Sequence, residues 1–303
     1  MVFDVIFILR VNYRKMKFKK INLKVYFAIT VGFFLFTSFS YKYQSLENNS
    51  REILLGVLES ISKIKTMRYH LLCNERINGK IQQTESKVKL QISPRKLYLS
   101  LKGPELLWLE GQNDGDALIN PGAFPYINLN LDPFGSFMRK GQHHTIHEMG
   151  LKYLSLILNA AIKRAGDSFE KNFVVVGEEK YYGRDCYKLS IAFPDFVWKS
   201  YTVKKGEDLI SIARKLFVSE YMILERNPKL SWYDDVKEGQ IIQVPDAYAK
   251  LTVLLIDKKI LLPVKNEIFD DKGLFEAYEF YDLDVNLPIA AEEFTENYKD
   301  YNF

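Results

Sequence analysis

The 303-residue chain contains only two cysteines and four histidines, and it lacks the short motifs that mark common enzyme classes. It has no Gly-x-Ser-x-Gly nucleophile elbow, no Walker phosphate loop and no dinucleotide-binding Gly-x-Gly-x-x-Gly sequence. The metalloprotease pattern His-Glu-x-x-His is also absent. Nothing in the sequence argues for catalysis, and we expect no cofactor.

Positive charge is concentrated at the amino terminus. The first forty residues carry seven basic side chains against one carboxylate, and without them 35 basic and 37 acidic side chains remain. The rest of the chain therefore has a net charge of −2. This balance gives no indication of a surface that binds nucleic acid.

The basic start leads into an apolar run from Val25 to Phe36, followed by small residues at Ser38 and Ser40. The run is shorter than the roughly 20 residues of a membrane span, and the small residues suit a signal peptidase. We expect residues 1–40 to be a cleaved secretory signal, with an uncleaved anchor as the alternative. Met16 is the better start codon, because lysines follow it closely. The expected location is the periplasm or cell envelope.

The two cysteines, Cys73 and Cys186, lie in segments that both read as strands. An envelope location permits a disulfide between them. The alternation of residues places Cys73 with Leu71 and Cys186 with Lys188, and this favours opposite faces of a sheet. We expect two separate thiols, with a disulfide as the alternative.

Residues 201–245 have the pattern of a small folding unit that contains a strand, two helices and a closing strand. Asp208 can cap the first helix and Ser219 the second, since each offers an oxygen to unpaired amides. Asn227-Pro228 ends the second helix, because proline disfavours the helical conformation of its predecessor. The first helix has an apolar face at the spacing i, i+3, i+4, i+7, formed by Leu209, Ile212, Ala213 and Leu216.

This segment resembles a LysM domain, a module that binds the N-acetylglucosamine-containing glycan of peptidoglycan or chitin. The resemblance implies a shallow glycan groove between the loop before the first helix and the loop after the second. By position, the groove residues are Gly206, Glu207, Asp208, Leu209, Asn227, Pro228, Lys229 and Leu230. The family usually has Gly-Asp-Thr where this chain has Gly206-Glu207-Asp208. Trp232 and Tyr233 either stack on the sugar or fill the core of the module.

Segments on both sides of this module predict a sheet with packed helices. An amphipathic helix is expected near Ile53–Ile64, and a helix that is apolar on most sides from about Thr145 to Ala165. Asn113-Asp114-Gly115 predicts a hairpin. Residues 251–256, 260–269 and 274–287 predict three more strands. Alternation of period two predicts an antiparallel sheet with one apolar face, at Val88, Leu90, Ile92, Leu97, Leu99 and Leu101.

Residues 262–288 resemble the last strands of the LolA-like superfamily, which comprises periplasmic lipoprotein carriers and their relatives. The runs LWLEGQNDGDALINPG and LDPFGSFMRKGQHHTIHEMG resemble a bacterial envelope family of unknown function placed near that fold. The resemblance implies an α+β fold, a curved antiparallel half-barrel wrapped round one or two helices, often with an apolar cavity for acyl chains. We expect residues 46–199 and 250–303 to form one host domain, with a βααβ LysM module inserted at 200–246.

Three of the four histidines, His143, His144 and His147, lie close together in the sequence. On one helix, His143 and His147 would share a face, as zinc ligands do. Thr145 and Glu148, however, match a capping box, which places His143 and His144 in the loop before the helix. We therefore interpret the histidines as part of a polar loop and assign no metal site.

Together these patterns predict a non-catalytic envelope protein. Its LysM module would bind peptidoglycan or N-acetylglucosamine oligomers, and its host domain would bind a lipid or a lipoprotein acyl chain. Two alternatives remain: a sensor or scaffold with a filled core and a protein partner, and an unrecognised cell-wall glycan hydrolase. An occupied cavity favours the first function and a solid core the second. The hydrolase requires a cluster of perturbed acids in a cleft.

Overall fold

The computed structural model describes residues 50–303, so the expected signal at 1–40 lies outside the described residues. The helices are α1 Ser50–Ser62, α2 Ser136–Arg139, α3 Lys152–Ala165, α4 Phe169–Asn172, α5 Leu209–Leu216 and α6 Glu220–Arg226. The strands are β1 Thr66–Ile77, β2 Lys80–Gln91, β3 Lys96–Ser100, β4 Glu105–Leu109, β5 Ala117–Asn120, β6 Leu129–Leu131, β7 Phe173–Tyr181, β8 Arg184–Ala192, β9 Trp198–Thr202, β10 Ile241–Pro245, β11 Leu251–Asp257, β12 Pro263–Asp270 and β13 Gly273–Val285. Among the helices of residues 50–303, none is long and apolar enough to cross a membrane.

Within the described residues, eleven strands form one curved, open antiparallel sheet in the order β6-β5-β4-β3-β2-β1-β13-β12-β11-β8-β7. The three strands that follow the 201–245 segment lie in the middle of this order. β13 pairs with β1, and β11 pairs with β8. The sheet is therefore completed only when the last part of the chain fills the gap between strands from the first part.

Helices α1 and α3 cover one face of the sheet and close the main core. Helix α1 buries Ile53, Leu54, Val57 and Ile61, as its periodicity predicts. Helix α3 buries Leu154 and Leu158, whereas Leu156 is 46% exposed. The expectation of a helix covered nearly all round is therefore wrong, and one flank of α3 borders a cleft.

The predicted helix from Thr145 to Ala165 is divided in two. A single 3-10 turn at Ile146–Glu148 is separated from α3 by Gly150, which has a φ of +90°. A Cβ atom at this position would lie 2.6 Å from Leu90 Cδ2. The positive φ and the close approach of the sheet both favour glycine at this position. The positive φ also interrupts the helix here.

The segment Tyr201–Pro245 forms a separate βααβ unit, in which β9 and β10 pair with each other and enclose α5 and α6. Both predicted helix caps are present. Ser211 N donates to Asp208 Oδ1 at 2.7 Å, and Met222 N donates to Ser219 Oγ at 3.3 Å. The unit has its own apolar core, formed by Val203, Leu209, Ile212, Ala213, Val218, Ile223, Leu230, Tyr233, Ile242 and Val244.

The two cysteines are unpaired in the structure. Cys73 lies on β1 and Cys186 on β8, and β13, β12 and β11 lie between these strands in the sheet. The expectation of two separate thiols agrees with this arrangement.

Candidate functional sites

The eight expected groove residues lie in two loops at the ends of α5 and α6. Leu209 and Leu230 are buried and contribute to the core of the module. Gly206, Pro228 and Lys229 are exposed. A backbone hydrogen bond holds the end of the loop before α5, because Leu209 N donates to the carbonyl oxygen of Tyr233 at 2.8 Å.

Three of the expected groove side chains are engaged within the module itself. The Glu207 carboxylate accepts from Lys204 N at 2.9 Å and lies 3.0 Å from Lys215 Nζ. These interactions lower the pKa of Glu207 from 4.5 to about 2. The Asp208 carboxylate caps α5. The Asn227 amide donates to the carbonyl oxygens of Ile223 and Gln243 and accepts from Gln243 N. The side chains of Glu207, Asp208 and Asn227 are therefore already hydrogen-bonded within the module.

The aromatic pair after the second loop is partly removed from solvent. Tyr233 is 3% exposed and belongs to the core of the module, and the Arg139 guanidinium lies 4.5 Å from its ring centroid. Trp232 packs against the same core and is half-buried. Of the two expected roles, filling the core is the one that Tyr233 performs.

The module is joined to the host domain by buried ion pairs. Glu220 begins α6 and is fully buried. Its carboxylate accepts from Arg139 at 3.1 Å and from Arg214 at 3.1 Å, and Arg214 also pairs with Glu148. Arg139 and Glu148 belong to the host, so these contacts fix the orientation of the module on the sheet.

Helix α6 also contributes to the host core. Tyr221 and Met222 pack among the residues of the main core. Tyr221 Oη accepts from Asn78 N at 3.0 Å, and Glu225 pairs with Arg76 at 3.0 Å. The module therefore covers one end of the host core, next to the hairpin between β1 and β2.

A polar cluster lies next to this end of the host core, on the helix-covered face of the sheet. Glu75 on β1 and Glu276 on β13 are direct partners in the register of the two strands. Glu276 is fully buried and Glu75 is 8% exposed. His143 and His144 approach both carboxylates from the loop that the sequence places before the 3-10 turn.

The contacts within this cluster are short. His143 Nδ1 lies 2.7 Å from Glu276 Oε2, and His143 Nε2 lies 3.0 Å from the carbonyl oxygen of Arg76. Tyr278 Oη donates to Glu75 at 2.6 Å, and Tyr248 Oη donates to Glu276 at 2.8 Å. Every member of this set is largely buried, so each hydrogen bond is formed away from bulk water.

The imidazole of His143 is held between two aromatic rings. The ring of Tyr221, from the module, lies 4.5 Å away, and that of Phe275, from the host, lies 4.2 Å away. Both rings are tilted by only 23° from the imidazole plane. The ring of His143 therefore has a fixed orientation, and part of the structure that fixes it belongs to the inserted module.

The cluster perturbs several pKa values. Burial raises the pKa of Glu276, but the charge of His144 and the hydrogen bond from His143 outweigh burial and lower it below 4.5. Burial lowers the pKa of His144, but the negative charge of Glu276 outweighs burial and raises it above 6.5. Burial and the charge of Glu276 raise the pKa of Tyr248 and Tyr278 well above 10. The folded state therefore favours an ionised Glu276 beside a protonated His144.

The sequence did not reveal this cluster, apart from the loop position of the histidines. One half of the predicted capping box is formed, since Thr145 N donates to Glu148 at 3.1 Å. The other half is absent, because Thr145 Oγ1 has no hydrogen-bond partner. His147 lies apart, between the rings of Trp108 and Phe134 at 4.8 and 4.9 Å.

Two connected spaces adjoin the cluster. A cavity of about 80 Å³ is lined by Glu276, Tyr278 and His144 on one side and by apolar residues such as Leu154 and Ile157 on the other. A cleft of about 450 Å³ continues from it along α3. The cleft is bounded by Leu154, Ile157, Leu158, Ala161, Phe193 and Phe217. Phe217 comes from the module, so the wall of the cleft belongs to both parts of the chain.

The described chain thus combines an open antiparallel sheet packed against two helices with a small βααβ unit. Family comparison matches the LysM domain to residues 201–245 and a protein family of unknown function (DUF1571) to residues 64–219. The chain belongs to this DUF1571 family. Among curated proteins, none matches the sequence.

Several solved structures are similar to this chain at low sequence identity. A LolA superfamily protein from Nitrosomonas europaea is 9% identical over 82% of this chain and 98% of its own, with a TM-score of 0.31. The lipoprotein LppX from Mycobacterium tuberculosis is 12% identical over 79% and 98%, with a TM-score of 0.37. A chain of the Pseudomonas aeruginosa MucA/MucB complex is 14% identical over 82% and 60%, with a TM-score of 0.35. The present chain thus spans about three fifths of that last chain.

Proposed function

We propose that this protein is a non-catalytic component of the bacterial cell envelope. Residues 200–246 bind peptidoglycan or N-acetylglucosamine oligomers, and the host domain, residues 46–199 with 250–303, binds a lipid or acyl chain. The observation that carries the proposal is a complete LysM unit whose two groove loops face solvent, joined to a sheet with an apolar cleft.

The chemistry of the groove suits an N-acetyl sugar. Gly206, Pro228 and Lys229 are exposed, whereas the side chains of Glu207, Asp208 and Asn227 are already hydrogen-bonded. Backbone amides and carbonyls would therefore meet the acetamide group, and the exposed ring of Pro228 would meet its methyl group. A single shallow groove buries little area and must also offset the cost of ordering the glycan, so we expect weak binding.

Retention of the full-length protein on insoluble peptidoglycan tests the glycan site. Gly206→Asn adds a side chain at the groove, where a Cβ atom meets no other atom within 4 Å. Asparagine tolerates the φ of +78° at this position. Gly239→Asn is the matched control, because Gly239 has a φ of +79°, equally open surroundings and no place in the groove loops.

We expect Gly206→Asn to reduce retention severalfold and Gly239→Asn to leave it unchanged. N-acetylglucosamine oligomers should compete for binding, whereas glucose oligomers of equal length should not. Deletion of residues 200–246 should abolish retention. Unchanged retention after this deletion means that the module is not the wall anchor.

The lipid-binding part of the proposal is supported by the cleft along α3. Its walls are mainly apolar, although Lys163, Arg164, Lys215 and Asp246 also line it. It shares Leu154, Ile157 and Tyr248 with the small cavity, which has a polar side at Tyr248 and His144. Leu216 and Phe217 are 36% and 46% exposed beside it. A cleft with apolar walls and a few polar groups at one end fits a ligand with an acyl chain.

Mass spectrometry of lipids that co-purify with the protein tests this assignment directly. Ala161→Trp should fill the cleft and reduce the amount of bound lipid, because Ala161 lines it. Asn159→Trp, on the exposed side of the same helix, is the matched control and should have no effect. Absence of lipid from all three proteins favours the alternative of a scaffold with a protein partner.

The envelope location belongs to the same proposal. If residues 1–40 are a cleaved signal, amino-terminal sequencing of the protein from its native host should begin near Tyr41. An intact segment from Lys17 to Lys24 on the isolated protein would instead favour the membrane anchor.

A further inference from the structure

We propose that Glu75, His143 and Glu276 form a binding site for one divalent transition-metal ion, which goes beyond the proposed glycan and lipid binding. Each residue offers one ligand atom, and these atoms all lie within 4.8 Å of one another. All three side chains are more than nine-tenths buried. A small shift of the carboxylates would bring the three atoms to the separations that metal–ligand distances of about 2.0–2.2 Å require.

The hydrogen bonds around His143 leave the correct nitrogen for a metal. The carbonyl oxygen of Arg76 can only accept, so the Nε2 atom that faces it carries a proton. Nδ1, which lies 2.7 Å from Glu276 Oε2, is then the nitrogen available to a metal ion, which would replace the hydrogen bond between the two groups. A ligating histidine that donates its other N–H to a backbone carbonyl is the usual arrangement in metal sites, because it fixes the tautomer and the ring orientation.

The carboxylates are oriented in the same way. Tyr278 Oη lies 2.6 Å from Glu75 Oε1 and 3.2 Å from Glu276 Oε2, and it joins the two groups. The backbone N of His143 donates to Glu75 Oε2 at 3.2 Å. The stacking of His143 between Tyr221 and Phe275 prevents its ring from turning away. All three proposed ligands are therefore held in place by the surrounding protein.

Two carboxylates share this buried site, and His144 Nε2 lies 3.3 Å from one of them, Glu276 Oε2. Glu75 and Glu276 stand directly opposite each other on neighbouring strands, an arrangement that destabilises a sheet when both groups are charged. The nearest guanidinium on β1, that of Arg76, is paired with Asp270 and Glu225 instead. Both nitrogens of His143 face oxygen atoms, Nδ1 facing Glu276 Oε2 and Nε2 facing the carbonyl oxygen of Arg76.

A second observation points to a small polar ligand at this place. Asn266 Oδ1 has no hydrogen-bond partner, although Asn266 is only 5% exposed. Asn266 on β12 is the register partner of Tyr278 and lines the same cavity as Glu276. The cavity therefore has on its wall one proposed ligand, Glu276, and an oxygen atom that still needs a hydrogen-bond donor.

The donor set limits the identity of the metal. One imidazole nitrogen and two carboxylate oxygens suit Zn²⁺, Fe²⁺ or Mn²⁺, because soft sulfur ligands are absent from the set. Zn²⁺ is the appropriate first probe, because it is redox-inert and binds nitrogen and oxygen ligands.

Metal analysis of the full-length protein, produced without a histidine tag, tests the site. After removal of metal with a chelator and reloading with Zn²⁺, we expect one Zn²⁺ ion per chain. Glu75→Gln and Glu276→Gln keep the shape of each side chain but remove its charge, and each should weaken Zn²⁺ binding at least tenfold. Glu293→Gln is the control, since Glu293 is similarly buried and paired with Arg68 away from the cluster.

X-ray absorption of Zn²⁺ in the unmodified protein keeps the proposal testable if either variant fails to fold. We expect nitrogen and oxygen neighbours at about 2.0–2.2 Å with a single imidazole. The proposal is wrong if Zn²⁺ fails to bind at one ion per chain, or if all three variants bind it equally. A sulfur neighbour would also overturn it, because this would assign the metal to Cys73 or Cys186.

Discussion

The inserted module and the host domain differ in how far apart in the sequence their contacting residues lie. The module pairs β9 with β10 and fills its own core within residues 198–245. In the host, the central strands β1 and β13 come from opposite ends of the described chain. Tyr278 and Glu75, which are hydrogen-bonded across them, are 203 residues apart in the sequence.

The interface between the module and the host differs from the core of either part. It contains Glu220, Arg139 and Arg214 as buried ion pairs, and it places Tyr221 of the module on His143 of the host. The module is therefore docked both by ion pairs that require a defined orientation and by Tyr221 and Met222, which pack in the host core. We therefore propose a self-sufficient module and a host that depends on its last strands, and the interface can be tested separately from both.

The largest expected effect is that of truncation after Pro245. This removes β11, β12 and β13 from the middle of the sheet and separates β1 from β8. Burial of side chains such as Leu254, Val264 and Phe275 contributes about 1.5–3 kcal/mol each, against a domain stability of about 5–15 kcal/mol. We expect the host to unfold, with only the module retaining structure in circular dichroism melts. A truncated protein that still melts cooperatively as a large β-domain would contradict the insertion.

Replacement of residues 201–245 by a short Gly/Ser linker should have a smaller effect. The ends of the module are adjacent, since Trp198 pairs with Pro245, and a surface loop of different length changes closure entropy by less than about 1 kcal/mol per doubling. We expect the host to remain folded but to lose stability, because Tyr221 and Met222 no longer cover its core. Loss of the cooperative melt would mean that the module is an integral part of the host.

Arg139→Met tests the interface on its own. In the intact protein, the buried Glu220 would retain only Arg214, so we expect a loss of about 2 kcal/mol, below the 3–5 kcal/mol of a wholly unpaired buried charge. In the linker-replaced protein, Glu220 is absent and the same substitution should change stability by less than about 0.5 kcal/mol. Urea unfolding of the four proteins measures the coupling.

Lys140→Met is the matched control for this cycle, because Lys140 is the next residue and is exposed. It should be nearly neutral in both backgrounds. Equal effects of Arg139→Met with and without the module would show that Arg139 acts within the host and does not hold the module.

The sequence predicts the local features of this molecule well. The caps at Asp208 and Ser219, the face of α1 and the strands after the module each depend on residues that lie close together in the chain. The altered boundary of α3 has a tertiary cause, since Gly150 is required where Leu90 approaches from the sheet. The exposed flank of α3 at Leu156 likewise depends on what packs against the helix.

The polar cluster could not be predicted because its members come from distant segments. Glu75 and Glu276 each appear in the sequence as one polar residue near other polar residues of a strand. Only the register of β1 with β13 places them side by side, and only the loop after α2 places His143 against them. The available signal was the alternation of Glu276, Tyr278 and Phe280, which puts a carboxylate on the apolar face of β13.

The smallest expected effect concerns the carboxyl-terminal segment, which the module does not touch. Glu293 accepts from Arg68 at 2.6 and 2.7 Å and contacts Lys89 at 2.8 Å. The hydrogen bonds from Arg68, opposed by burial and supported by Lys89, lower the pKa of Glu293 from 4.5 to about 2. Its ionised form therefore stabilises the folded host above pH 4.5, and this stabilisation is lost as the pH falls towards 2.

Glu293→Gln should accordingly reduce the free energy of unfolding by about 1–2 kcal/mol at pH 7. The difference from the unmodified protein should shrink between pH 4.5 and 2, because protonated Glu293 resembles glutamine. Glu296→Gln, at an exposed position three residues further on, is the control. Urea unfolding at pH 7, 4 and 3 measures both differences. A difference for Glu293→Gln that stays constant over this range would mean that Arg68 and Lys89 do not depend on its charge, and that the end of the host is held by packing alone.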